Sequence, residues 1–259
     1  SFEWFNTNGG QYIAAGSNYA MWFEDISFDG LETGEAEDQE KIIGKGYDFA
    51  NDGADFYESF EDQSLSDFTI NDPDFEIKSN ESRRGSYSVG IDETSTTASD
   101  VAFYEPTVLS GGSNPYFIEF YMMVFGTSGN HNGGIGFTNS NGDDEVAFQM
   151  GSSRGLGTYD GNGTNPSLRA YETADWIRFS VWFDWDNNDY YFQAVQKYLV
   201  DNTNTDIISY EHRAPLAQGV DIEKFRFRNI DGTLDWTTKL GTDDISMYFD
   251  KFKINDTNI

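Results

Sequence analysis

The sequence contains no cysteine and only two histidines among its 259 residues. Disulfide bonds and a catalytic thiol are therefore excluded, and neither a zinc site nor a serine–histidine–aspartate triad is expected. A chain of this length buries a full hydrophobic core without disulfide bonds. The absence of cysteine therefore does not place the protein inside a cell.

Basic residues are also scarce, because 16 Lys and Arg stand against 45 Asp and Glu, for a formal charge of −29. This excludes a nucleic-acid binder that works by neutralising phosphates, and it disfavours attachment to anionic membranes. No hydrophobic run reaches the length of a transmembrane helix. Nucleic acids and membranes are therefore not expected partners.

The acidic residues are spread through every segment of the chain, and two interpretations are open. One is the solvated acidic surface of an ordinary secreted protein. The other is adaptation to a very salty environment, where dissolved ions screen the repulsion between carboxylates. We favour the second, because a charge of −29 exceeds what solubility requires.

Aromatic residues make up 17% of the chain, and 26 glycines punctuate it. Short apolar or alternating segments recur with turn residues between them, and no convincing helix appears. Tyr116–Phe125 is apolar on both faces except for Glu119, as expected of a central strand. Trp176–Trp185 alternates, with Ile177 and every second residue after it on one face. This pattern predicts an all-β, two-sheet antiparallel jelly-roll sandwich of roughly twelve to fourteen strands.

Three segments are predicted along the chain: 1–29 as a β-hairpin closing a preceding β-domain, 30–55 as an acidic linker, and 56–257 as the sandwich. Tyr19–Phe28 and Ile245–Ile254 share one apolar spacing with a slip of one residue, which predicts a bulge in each. In the second the slip falls at Asp250-Lys251. The repeat predicts an array of similar domains. The chain begins at Ser1, and we expect it to be a processed product or a piece of a longer protein.

Several stretches resemble the concanavalin A-like lectin and glucanase jelly rolls, including laminin-G-like and carbohydrate-binding modules. They are Ser59–Phe68, Gly85–Val89, Ala174–Phe179, Thr242–Ile245 and Tyr248–Ile254. The resemblance covers about residues 56–255 and implies the jelly-roll fold. That fold hosts lectins, hydrolases, lyases and structural modules, so it does not imply one function.

The acidic, modular layout also resembles tail-fibre, spike and surface proteins of halophilic archaea and their viruses. We therefore expect a non-enzymatic extracellular or virion module that binds a cell-surface glycan or glycoprotein. Such a protein is expected to be a homo-oligomer, with a trimer as one form. The alternative is a free carbohydrate-binding or glycan-degrading domain of a secreted halophilic protein.

The residues that the family's enzymes use are missing. Its glucanases carry a Glu-x-Asp-x-x-Glu strand, whose carboxylates flank the scissile bond. The nearest pattern here is Phe183–Asp186, whose second Asp falls in a turn. His131 and His212 do not form the Gln-x-His set of the lyases. No catalytic residue is therefore expected.

Calcium prefers carboxylate and carbonyl oxygens. The resemblance implies a structural Ca²⁺ between the opening and closing strands, at Glu61 and Asp250, with Asp62 and Asp244 beside them. The alternative is that all four are solvated acids at turns and sheet edges.

A ligand-binding face is the other candidate site. Trp176, Arg178 and Trp182 share one face of their strand, where sugars stack on aromatic rings. A second strand carries three basic residues on one face: Lys224, Arg226 and Arg228. They would meet an acidic or sulfated glycan, or else they pair with neighbouring Asp and Glu across the sheet.

Overall fold

The computed structural model describes residues 54–79, 81–83, 85–95, 100–124, 132–151, 155–159, 164–170, 176–200, 204–229 and 244–255. The predicted hairpin at residues 1–29, and the predicted linker apart from residues 54 and 55, lie outside this part of the chain. The bulge predicted in Tyr19–Phe28 therefore stays a prediction.

The described residues contain fifteen strands and two short 3₁₀ turns, joined by loops. The strands are β1 Phe56–Glu58, β2 Phe68–Ile70, β3 Glu76–Lys78, β4 Ser88–Ser95, β5 Asp100–Tyr104, β6 Phe117–Val124, β7 Asn132–Thr138, β8 Asp144–Gly151, β9 Gly155–Tyr159, β10 Thr164–Ala170, β11 Ile177–Asp184, β12 Asp189–Val200, β13 Asn204–Pro215, β14 Lys224–Asn229 and β15 Asp244–Asn255. The 3₁₀ turns are Thr107–Leu109 and Trp185–Asn187.

The strands form two antiparallel sheets. The eight-stranded sheet has the order β13-β12-β11-β6-β15-β4-β3, with β1 also paired to β15. The seven-stranded sheet has the order β10-β9-β8-β7-β14-β5-β2. Consecutive strands pair at one side of each sheet, while pairs such as β6-β15 and β14-β5 join distant parts of the chain, as in a jelly roll. The predicted fold class is confirmed.

The core lies between the inner faces of the two sheets and is built largely of phenylalanine. Phe120 on β6 packs 5.9 Å from Phe137 on β7, and Phe227 on β14 packs 4.6 Å from Phe249 on β15, measured between ring centroids. All four side chains are fully buried. Each such side chain contributes about 1.5–3 kcal/mol by leaving water.

The predicted bulge in the last strand is confirmed. The register of β15 against β6 shifts between Asp250 and Lys253, and Lys251 has a φ of 53°. The shift returns Phe252 and Ile254 to the core, where both are fully buried. Without the extra residue they would point to the opposite face of the sheet.

Three features of the strands differ from the sequence prediction. Strand β9 was not predicted, because its Gly-Leu-Gly-Thr-Tyr sequence has little apolar alternation. Strand β13 runs from Asn204 to Pro215, well beyond Ile207–His212, the part of this segment whose sequence predicts a strand. It is an edge strand, where a terminal proline is tolerated. The count of fifteen strands in the described residues also exceeds the predicted range.

Candidate functional site

Three aromatic rings form a row across neighbouring strands on the outer face of the eight-stranded sheet. Trp182 on β11 lies opposite Phe117 on β6 and Tyr191 on β12. Its ring centroid is 5.2 Å from that of Phe117 and 5.3 Å from that of Tyr191. The row exists because inward residues such as Val181 and Phe183 alternate with outward ones along β11.

The hairpin turn between β11 and β12 forms one wall of an open groove beside this row. Asp184 caps the turn by accepting hydrogen bonds from the Asn187 backbone N–H at 3.2 Å and side-chain amide at 2.8 Å. Trp185 stacks on Phe183 at 5.4 Å and donates its indole N–H to the Pro115 carbonyl at 2.8 Å. The turn therefore has little freedom to move.

The groove has a volume of about 580 Å³ and is lined mostly by aromatic and polar side chains. Trp182, Tyr191 and Trp185 provide ring surface, and Tyr116, which is 38% exposed, adds another ring at the rim. The polar groups on its walls come from separate parts of the chain: Asn114, Asp184, Asp186 and Arg213.

Arg213 on β13 lies opposite Tyr191 and is held between two carboxylates. Its Nε donates to Asp189 Oδ2, and its Nη2 lies 3.6 Å from Asp184 Oδ2. The hydrogen bond and the charge of Asp189 raise the pKa of the Arg213 guanidinium above its usual value. Arg213 therefore carries a positive charge at the groove and contacts two carboxylates.

The loop after β13 supports the turn from behind, and a buried carboxylate fixes that loop. Glu145 is fully buried. Its Oε2 accepts the backbone N–H groups of Gln218 and Gly219, both at 2.8 Å. Its Oε1 accepts the N–H of Val220 at 3.1 Å and the side-chain amide of Asn139 at 2.9 Å.

This loop also contacts the groove turn directly. The Leu216 N–H donates to the Asn188 carbonyl at 3.0 Å. A Cβ placed on Gly219 would lie 1.7 Å from Asn188 Oδ1, so only glycine allows this approach. The chain of contacts from Glu145 to Asn188 holds the groove wall in place.

The predicted ligand-binding residues fall on two opposite sides of the sandwich. Trp176, Arg178 and Trp182 share the outer face of the eight-stranded sheet, but only Trp182 lines the groove. Arg178 Nη2 lies 3.5 Å from Gln193 Oε1 on β12. Arg226 and Arg228 lie on β14 in the other sheet.

The basic residues of β14 pair with acidic neighbours, as one of the two sequence interpretations held. Arg226 Nη1 is 2.9 Å from Asp144 Oδ2, and Arg228 Nε is 2.8 Å from Asp100 Oδ1. Lys224 lies 3.1 Å from Glu223 Oε2. Their charges are therefore largely compensated within the protein.

The two main predicted calcium ligands both bind one loop through backbone N–H groups. Glu61 accepts the N–H groups of Ser86 and Tyr87 at 3.0 and 3.1 Å. Asp250 is fully buried and accepts the N–H of Arg83 at 2.9 Å and of Lys251 at 2.8 Å. Glu61 and Asp250 are therefore connected through this loop, which both of them contact.

The other two predicted ligands do not complete a cation site. Asp62 is exposed and accepts the N–H of Ser64 at 3.0 Å, and Asp244 begins β15 opposite Ser95. In the described part of the chain, no three acidic or histidine side chains gather as a metal site. In this arrangement the carboxylates of Glu61, Asp62 and Asp250 already accept backbone N–H groups. The calcium site stays a prediction.

His212 and Asp186, which were considered for catalysis, lie in different parts of the fold. His212 on β13 faces the interior, with its ring 5.9 Å from that of Phe192. Asp186 falls in the 3₁₀ turn, as predicted, while Asp184 is engaged in capping and with Arg213. His131 lies outside the described residues.

Most residues of the groove were not predicted from the sequence, although the short turn between β11 and β12 indicates one pair of them. The turn between β11 and β12 is short, and counting back from it pairs Trp182 with Tyr191. That step would have found the central ring pair. Asn114 and Tyr116 gave no local signal, because they precede β6, which pairs with the distant strand β11, and Arg213 depends on the register between β12 and β13.

No family model matches the sequence, and no curated protein matches it either. Several solved structures are similar to it. A marine PL-14 alginate lyase from Aplysia kurodai has 10% identity and a TM-score of 0.48, covering 79% of this chain and 99% of that one. Peanut lectin has 9% identity and a TM-score of 0.45, covering 79% and 97%.

A xylan-binding domain of CBM 22 has 12% identity and a TM-score of 0.37, covering 81% of this chain and 99% of that one. These neighbours are lectin-like jelly rolls. They include a lyase, a lectin and a binding domain, and thus select no activity for this chain. Among the described residues, no helix has the length and apolar character needed to cross a membrane.

Proposed function

We propose that this protein is a non-enzymatic carbohydrate-recognition module, and that its glycan lies in the groove beside Trp182. The observation that carries the proposal is the gathering of Tyr116, Trp182, Trp185 and Tyr191 around one open groove. Aromatic rings offer flat apolar surfaces at low entropic cost, and the C–H faces of sugars pack against such surfaces.

Polar groups next to the rings support the same function. The Asn114 amide, the Asp186 carboxylate and the Arg213 guanidinium provide hydrogen-bond acceptors and donors at the walls of the groove. A few polar groups around an apolar surface fix the orientation of a bound sugar. The capped turn holds this arrangement before any ligand arrives, which lowers the entropic cost of binding.

The proposal is tested with Trp182→Ala on a glycan array, followed by titration calorimetry of the glycans that bind. We expect binding to weaken by about tenfold or more, because the central stacking surface is lost. Trp176→Ala is the matched control, since it removes an indole beside the same strand but outside the groove. Equal binding by wild type and Trp182→Ala would contradict the proposal.

The alternative is a free glycan-degrading domain of a secreted protein. Incubation with the bound glycans, followed by chromatography for released or unsaturated oligosaccharides, separates the two. The proposal expects intact glycan. Products that disappear in a groove variant would instead make the protein an enzyme.

We place the module on an extracellular or virion surface of a halophilic organism or its virus, as part of a fibre, spike or surface array. The charge of −29 supports the halophilic setting. A fibre or spike protein would be a symmetric homo-oligomer, with a trimer as one form. Light scattering at high salt tests this, and a monomer at all concentrations would contradict it.

A structural Ca²⁺ near Glu61 and Asp250 is a further part of the proposal, supported by the clustering of their acidic neighbours in the sequence. A bound ion would have to replace the N–H groups that these carboxylates now accept. If it binds, a chelator will lower the melting temperature at fixed high salt. An unchanged melting temperature would contradict the proposal of a structural calcium ion.

A further inference from the structure

The charged groups around the groove have a net negative charge. Two carboxylates line it, those of Asp184 and Asp186, and a third, Asp189, lies beside it in contact with Arg213. Arg213 supplies the positive charge among the described residues that line the groove. Three carboxylates at or beside the groove thus outnumber one guanidinium, in a chain whose overall charge is −29.

The guanidinium already contacts two carboxylates of the protein. Its Nε is bonded to Asp189, and its Nη2 lies 3.6 Å from Asp184. A sulfate or carboxylate would have to displace Asp189 or approach Arg213 while close to these carboxylates. In either case the ligand's charge meets repulsion without a compensating cation.

We infer that the groove binds saccharides without acidic groups and rejects sulfated or uronic-acid glycans by charge repulsion. This rests on the proposed function and adds the ligand class. The hydroxyl groups of an uncharged sugar donate to carboxylates, so the same Asp side chains that repel an acidic glycan favour an uncharged one.

The other basic cluster of the sandwich does not offer acidic glycans an obvious alternative. Arg226 and Arg228 are already paired with Asp144 and Asp100, and the Arg226 guanidinium lies 5.5 Å above the ring of Phe103. Displacing these partners would leave the buried carboxylate of Asp144 and the half-buried carboxylate of Asp100 without a cation. Selection against acidic ligands therefore extends to both faces.

The test uses pairs of glycans with the same backbone, such as dextran and dextran sulfate oligosaccharides, together with the acidic and uncharged members of an array. At about 0.1 M salt we expect acidic forms to bind at least about tenfold more weakly than uncharged ones. The difference should shrink at about 1 M salt, where the Debye length falls to about 3 Å.

Two variants locate the effect in the groove. Asp186→Asn removes an exposed carboxylate and should improve binding of acidic glycans by about threefold, while uncharged glycans, which lose a charged hydrogen-bond acceptor, should bind slightly more weakly. Arg213→Gln should widen the preference, because it removes the positive charge. Asp74→Asn removes an exposed carboxylate that does not line the groove, changes the overall charge by the same amount as Asp186→Asn, and should leave the binding of acidic glycans unchanged.

The outcomes distinguish this inference from the proposed function. Acidic glycans that bind most tightly, and lose binding in Trp182→Ala, would overturn the inference and keep the function. Asp186→Asn with no effect on acidic binding would also overturn it. Uncharged and acidic glycans that both bind independently of Trp182 would overturn the proposed function itself.

Discussion

At the residue scale, Gly85 shows how one backbone conformation supports a contact between distant segments. Gly85 has a φ of 81°, and a Cβ there would lie 2.2 Å from Glu61 Oε1. The absence of a side chain lets Glu61 reach the N–H groups of Ser86 and Tyr87. The loop is thereby tied to the segment that follows β1.

Gly85→Ala is therefore expected to destabilise the protein by about 2–4 kcal/mol, through the left-handed backbone conformation and the clash with Glu61. The matched control is Gly111→Ala, at a φ of 79° with no atom within 4 Å of the added Cβ. It should cost only about 1–2 kcal/mol. Urea unfolding measures both, and equal losses would mean that the Glu61 contact contributes nothing.

Glu58, at the end of β1, is a second residue with a measurable signature. Burial raises the pKa of its carboxyl above the usual 4.5, although the carboxylate accepts the N–H of Phe60. The folded state therefore binds the proton more tightly than the unfolded state does. The contribution of Glu58 to stability is most favourable below pH 4.5 and is lost as the pH rises through the folded-state pKa.

Glu58→Gln removes this titration and should be more stable than wild type at pH 7. The advantage should shrink as the pH is lowered toward 4.5. Urea unfolding of both proteins across this range measures it. A constant difference at all pH values would show that the carboxyl is not titrating as the structure indicates.

At the element scale, the bulge of β15 decides which side chains close the core. Asp250 pairs with Tyr121 and Lys253 with Glu119, so β15 has one more residue than β6 between these pairs. Deletion of Lys251 would turn Phe252 and Ile254 to the outer face. Both are fully buried, and losing them should cost about 5 kcal/mol or more and unfold the protein.

The control for this deletion is Lys251→Gly. Glycine adopts a positive φ without strain, so the bulge is kept, while the contact of the Lys251 amine with the Tyr57 ring at 5.9 Å is lost. We expect a change within about 1 kcal/mol. Circular dichroism and urea unfolding distinguish the two variants. A folded deletion protein would show that the bulge does not set the register.

At the scale of the whole molecule, the charge of −29 produces repulsion that the fold must overcome. Raising the salt concentration from about 0.1 M to about 3 M should raise the melting temperature by about 5–10 °C, because salt screens this repulsion. The control is the same experiment near pH 4.1, the isoelectric point. There the charge is near zero, and the response should be much smaller. Equal responses at both pH values would assign the effect to something other than net charge.

The fold class, most of the described strands and the bulge at Asp250-Lys251 could be predicted from the sequence alone. These features follow from local alternation of apolar residues, since a strand with one buried face repeats every second residue. Strand β9 was not predicted, because its Gly-Leu-Gly-Thr-Tyr sequence lacks apolar alternation. The absence of cysteine and the scarcity of basic residues also narrowed the range of possible functions, because composition needs no tertiary information.

Which candidate residues lie together in one site depends on the tertiary fold and could not be predicted from the sequence. The fold placed Trp182 beside Tyr191 and Phe117, and put Arg226 and Arg228 on the other sheet. Alternation gives the face of a strand but not its neighbours or its register, and several neighbours, such as β6 and β11, come from distant parts of the chain. Arg213 joined the groove through the pairing of β13 with β12, and the order of the sheet therefore determines the groove and its charge.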